Sequence, residues 1–103
     1  GTLITDVLMS HHVAMLVPIA IPSSTDFLDL EPTRDGLGYA ARIARRRSDD
    51  STSWIASPPR GEQHDAWTSV RMEASRVIAC SWSGYEVELD LETGREFTRR
   101  FTK

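Results

Sequence analysis

From Tyr85 to Glu92 the chain alternates without a break: Tyr85, Val87, Leu89 and Leu91 are apolar, while Glu86, Glu88, Asp90 and Glu92 are acidic. A period of two puts successive side chains on opposite faces, so this is a strand with one face buried and one in water. The next three residues, Glu92, Thr93 and Gly94, suit a three-residue hairpin loop with Gly94 in the left-handed conformation that a side chain disfavours. Such a loop pairs Leu91 with Arg95. It also sets Leu89 opposite Phe97 and Tyr85 opposite Phe101 on the core face, with Glu86 facing Arg100 on the wet face. Just upstream, "AWTSVRME" and "SRVIACSW" have strand composition around a polar link from Glu73 to Arg76. The expectation is a four-stranded antiparallel meander from about Ala66 to Phe101, and a chain that carries it must build its core on one face of a sheet.

The rest of the chain extends that plan. Leu28 to Asp35, "LDLEPTRD", resembles Leu89 to Glu96, "LDLETGRE", yet nothing else in the two halves aligns, so both are strand ends running into turns and not a repeat. Pro32 closes the first of them. Residues 37–47 are ambiguous. Leu37, Ala40, Ala41 and Ala44 fit helical spacing and the arginines at the end suit a helix dipole, whereas Tyr39, Ala41 and Ile43 alternate as in a strand that would pair with Ser53 to Ser57. Ser48 to Asp65 has loop composition around the apolar piece Trp54 to Ala56. The fold class expected is α+β and mainly β: an antiparallel meander sheet with at most one short helix near 37–47. Residues 1–103 make a single domain, of which 1–12 are expected to be disordered or a cloning remnant.

Composition bounds the function classes. The chain has 103 residues, 40% of them apolar, with 12 basic and 15 acidic residues and a net charge of −3. That is enough apolar material for one core, and the charge disfavours tight non-specific binding to nucleic acid or an anionic membrane. The most apolar stretch, Val13 to Ile21, is about half the length of a spanning helix and contains Pro18. Cys80 is the single cysteine. It sits in the apolar run "VIACSW" as a structural thiol, and its solitude points weakly to a reducing, cytoplasmic home.

Motifs for catalysis are sparse. His11 and His12 are adjacent and neither has a ligand partner at i+4, so no metal site is expected. "RDGLGYA" lacks the third glycine and the lysine of a phosphate cradle, the acids Asp26, Asp29 and Glu31 lack calcium-loop spacing, and no Gly-x-Ser-x-Gly elbow occurs. No catalytic residue and no cofactor is therefore assigned. Three binding chemistries stay open. Arg42, Arg45, Arg46 and Arg47, with Trp54 for stacking, could hold nucleic acid. The acidic face of Glu86, Glu88 and Asp90 could attract a basic partner. A pocket near His64 and Trp67 could take a small molecule or serve an enzyme, with Asp65 orienting the imidazole.

The tail from Ser81 to Lys103, "SWSGYEVELDLETGREFTRRFTK", resembles the C-terminal ends of small bacterial proteins of mobile or accessory loci, some of which are similar to immunity proteins that neutralise a toxin. The resemblance covers about a quarter of the chain. It implies a non-enzymatic protein whose Trp82, Tyr85, Glu86, Glu88 and Asp90 form a face for a protein partner, and no catalytic residues. A homodimer is a further expectation, from three tryptophans and an apolar N-terminal strand on a small domain.

Overall fold

The computed structural model describes residues 16–35 and 37–102. The expectations for residues 1–12, and for His11 and His12, lie outside the described residues. Eight strands follow one another: β1 Ile19–Ala20, β2 Phe27–Pro32, β3 Ala40–Arg46, β4 Thr52–Ala56, β5 Trp67–Glu73, β6 Arg76–Ser81, β7 Tyr85–Asp90 and β8 Glu96–Phe101. No described residue is helical. The ambiguous segment is thus a strand, with Ile43 opposite Ala56 and Arg45 opposite Trp54. The strand wins because Leu30 and Ile43 pair on one face while Glu31 meets Arg42 on the other, a two-sided match that a helix would scramble.

All pairings are antiparallel, and the sheet runs β1-β2-β3-β5-β6-β7-β8 with β4 joined to β3 alone. One edge of β3 is therefore shared. Its end from Ile43 to Arg46 pairs with β4, and its start meets β5 through a single pair, Ala40 with Trp67. The sheet forks there. Strands from both ends bury a common face, where Leu28, Leu30, Ile43 and Trp54 pack with Val77, Val87, Leu89 and Leu91. Trp67, fully buried, sits at the junction and donates from Nε1 to the Ala56 carbonyl at 3.2 Å.

The C-terminal meander has the expected strands, and Tyr85–Phe101 and Glu86–Arg100 pair as anticipated. One end differs. Leu89 faces Glu96 and not Phe97, because the register shifts by one between Glu88 and Leu89. The extra residue, Phe97, turns to the outer face, where the Arg76 guanidinium lies 3.5 Å above its ring. The loop correspondingly closes with the Asp90 amide donating to the Arg95 carbonyl at 2.8 Å and the Gly94 amide to the Asp90 carbonyl at 2.7 Å. Gly94 does take the left-handed conformation, φ 75°. A Cβ there would lie 2.5 Å from Trp54 Cδ2, so the glycine is required twice, by its dihedral and by the indole seated against it.

That indole belongs to a clasp between the two ends of the sheet. Trp54 Nε1 donates to the Leu91 carbonyl at 2.8 Å, and Arg45 Nη1 donates to the same oxygen at 3.0 Å. Arg45 is 8% exposed, on the core side of β3, and its Nε pairs with Asp26 at 2.9 Å. One arginine so ties β3 to the loop before β2 and to the loop after β7.

Candidate functional site

The outer side of the fork carries a cleft of about 880 Å³. Its walls are the end of β2 with the following loop (Glu31 to Asp35), the approach to β3 (Leu37, Tyr39, Ala41 and Arg42), the loop Glu62 to Ala66, and Trp82 from the β6–β7 turn. Each wall is held by specific bonds. In the first loop the Thr33 hydroxyl and the Leu37 amide, at 2.6 and 3.0 Å, both donate to Asp35 Oδ1. The Thr33 hydroxyl first, and then the Leu37 amide, keep this carboxyl below the usual carboxylate range. It is ionised at neutral pH.

Asp65 organises the floor. Its Oδ1 accepts from the amides of Ala66 (2.9 Å) and Ser83 (3.0 Å), and its Oδ2 from the Arg60 amide (3.1 Å) and the Ser83 hydroxyl (2.6 Å). Because the Ser83 proton is committed to Asp65, the 2.9 Å contact between the Ser81 and Ser83 hydroxyls must have Ser81 as donor, and Ser81 in turn accepts from the Tyr85 amide at 3.1 Å. Burial favours the neutral acid, yet the Ser83 hydroxyl and the three amides outweigh it, and the pKa lies below its ordinary value. Asp65 is thus a structural anion that fixes the 57–66 loop to the β6–β7 turn. The Trp82 amide adds a bond to the Ala66 carbonyl at 2.8 Å, which sets the indole at the cleft rim.

The residues expected to bind are distributed as follows. Trp82 lines the cleft and is 58% exposed. Tyr85 stands apart from it, half-buried on the core face, edge-on to the Phe101 ring with centroids 5.2 Å apart. Glu86 and Glu88 lie on the opposite face of β7, where Glu86 meets Arg100 at 3.1 Å and Glu88 meets Arg76 at 4.0 Å and the Thr98 hydroxyl at 3.4 Å. Asp90 accepts from Glu92 N and the Thr93 hydroxyl in its own turn. The five do not share a surface.

Nor do the four arginines. Arg45 points into the core. Arg42 and Arg46 lie on the outer face in a ladder with the acids of β2: Arg42 Nε reaches Glu31 at 3.0 Å, and Arg46 reaches Glu31 and Asp29 at 2.7 Å each. Arg47 donates to Ser51 and to the Thr52 carbonyl. Trp54, set under Gly94, offers no face for a base. The sequence "RIARRR" invites a patch, but a strand splits such a run between two faces and the acids two residues apart in "LDLE" neutralise the outer one.

His64 does line the cleft, exposed, whereas Trp67 is buried and is not among the cleft's lining residues. Asp65 turns away to Ser83 in place of orienting the imidazole. Among the described residues no group of three or more His, Cys, Asp or Glu side chains is arranged to hold a metal ion. Cys80 is partly buried and unpaired with another cysteine. The Asp65 and Ser83 pairing and the cleft rim at Leu37 escaped sequence reasoning, since no spacing rule joins residues on loops; the only advance sign was serine on either side of Trp82.

No curated protein matches the chain. A family match spans residues 28–101, from the second residue of β2 to the last of β8, and so takes in every wall of the cleft. By that match the chain belongs to the family described as a domain of unknown function (DUF7957).

Proposed function

We propose that the protein is a small binding domain that recognises a protein partner through the cleft at the sheet fork. The observation that carries this reading is the pairing of Leu37 and Trp82, exposed by 61% and 58%, in the lining of one cleft whose loops are hydrogen-bonded in place through Asp35 and Asp65. A tryptophan anchor beside polar, solvent-accessible groups is the composition of an interface hot spot, and Leu37 adds apolar contact area to it. The hydroxyls bonded to its carboxylates, Thr33 to Asp35, Ser57 to Glu62 and Ser83 to Asp65, brace the loops that form the walls, which favours binding over catalysis. In its sharper form, carried by the resemblance of the tail, the partner is a bacterial toxin and the domain its inhibitor.

The test is affinity capture from the cell that makes the protein, with the wild type, a Trp82→Ala/Leu37→Ser double variant and Glu86→Lys side by side. One stoichiometric protein should be held by the wild type and by Glu86→Lys and lost from the double variant. Retention by the double variant, or recovery of nucleic acid alone, would refute the cleft as the docking site.

A further inference from the structure

The charges of the cleft are unequal, and their hydrogen bonds show which remain available. Four carboxylates line it, Glu31, Asp35, Glu62 and Asp65, against two guanidinium groups, Arg34 and Arg42, so acids outnumber arginines by two. Arg42 commits its Nε and Nη2 to Glu31 Oε1 and keeps its Nη1, and Arg34, exposed, is the second cation of the lining. Asp65 is spent on its four donors. Asp35 and Glu62 are half-used. Both bonds to Asp35 fall on Oδ1, and the contacts of Glu62, from the Ser57 hydroxyl at 2.7 Å and from Arg42 at 3.9 Å, fall on Oε2. Among the described residues, Asp35 Oδ2 and Glu62 Oε1 therefore keep accepting capacity toward a ligand. Two aromatic rings, Tyr39 and Trp82, line the same cleft.

Carboxylate oxygens with acceptor capacity beside aromatic faces suit a planar cation, which can take charge-assisted hydrogen bonds at its edge and a ring against its face. We infer that the cleft receives an arginine side chain of the partner, with Asp35 and Glu62 accepting from the guanidinium and Trp82 packing on it. This rests on the cleft being the docking site and specifies what enters it. A basic partner also fits the net charge of −3 of the whole chain, which steers cations toward it.

The probe is a blocked Gly-Gly-Arg-Gly-Gly peptide, titrated into the full chain and followed by the indole N–H of Trp82 in a proton–nitrogen correlation spectrum; the uncharged citrulline analogue is titrated in parallel. The arginine peptide should give a saturable shift at Trp82, and Asp35→Asn and Glu62→Gln should each weaken it by about threefold, the scale of one exposed charge pair. The spectrum itself reports whether either variant is folded. Equal binding of the citrulline peptide, no saturable shift, or indifference to both carboxylate variants would overturn the inference. The two proposals fail separately. If the partner is lost from Trp82→Ala/Leu37→Ser but held undiminished by Asp35→Asn/Glu62→Gln, docking stands and the arginine assignment falls; if the partner ignores the double variant, docking falls first.

Discussion

Gly94 and Gly61 offer a controlled comparison at the scale of one residue. Both have positive φ, 75° and 86°, but a Cβ at Gly61 meets nothing within 4 Å, whereas at Gly94 it would strike the Trp54 indole. Gly61→Ala should therefore cost about 1 kcal/mol for the dihedral alone, and Gly94→Ala at least about 2 kcal/mol more, since the indole is held by its bond to Leu91 and cannot retreat. Chemical denaturation of the two variants reads the difference directly. Asp65 gives a pH-dependent counterpart. Its folded pKa is depressed, so its contribution is present above the unfolded value, near 4, and is lost as the pH falls through the lower folded value. Asp65→Asn, which turns an amide N–H₂ toward a donor, should cost about 2 kcal/mol at pH 7 and progressively less below pH 4. A denaturation midpoint that moves in parallel with the wild type across that range would contradict the assignment.

Among the elements, β3 shows what the sequence could and could not convey. The strands of the C-terminal meander were legible because each alternates and each turn has its own chemistry, signals that lie within ten residues of one another. The bulge at Phe97 was not legible, because it depends on Arg76, a residue two strands away that offers its guanidinium to the ring. β3 itself reads as ambiguous since its apolar residues are mostly alanine, which fits both periods, and its arginines fit a helix end as well as a ladder of ion pairs. What decides is β2: Asp29 and Glu31 match Arg46 and Arg42 across the ladder, a tertiary complement invisible in a window around residue 43. Arg45 is the exception that breaks the pattern, a charge on the core face. Removing it strands Asp26 and leaves the Leu91 carbonyl with the Trp54 indole as its one side-chain donor among the described residues, so Arg45→Ala should destabilise by about 3 kcal/mol. Arg45→Lys should recover little of that, because one ammonium cannot span both acceptors as the guanidinium does. Thermal denaturation of the pair tests this, and full rescue by lysine would reduce the role of Arg45 to a point charge.

Across the whole molecule the fork makes the sheet's continuity narrow. Among the described residues the Ala40–Trp67 pair is the one strand pairing that joins the ladder of β1 to β4 with that of β5 to β8; the Trp67 indole bond to Ala56 lies beside it, and the clasp of Arg45 and Trp54 on the 91–94 loop is a further tie. In Arg45→Ala the amides of β2 to β4 should exchange with solvent faster than those of β6 and β7, whereas in the wild type the two groups should be protected alike. Uniform loss of protection in the variant would show that the narrow join is sufficient by itself. The fork also sets an order in time. Each hairpin of β5 to β8 closes a short loop, but the clasp brings together residues 46 and 37 positions apart in the chain, so it forms after the hairpins. A contact made that late lies on the native side of the folding barrier. Arg45→Ala should hasten unfolding while leaving the refolding rate nearly unchanged, so that the clasp acts as a latch on the lifetime of the folded protein and takes little part in the search that reaches it.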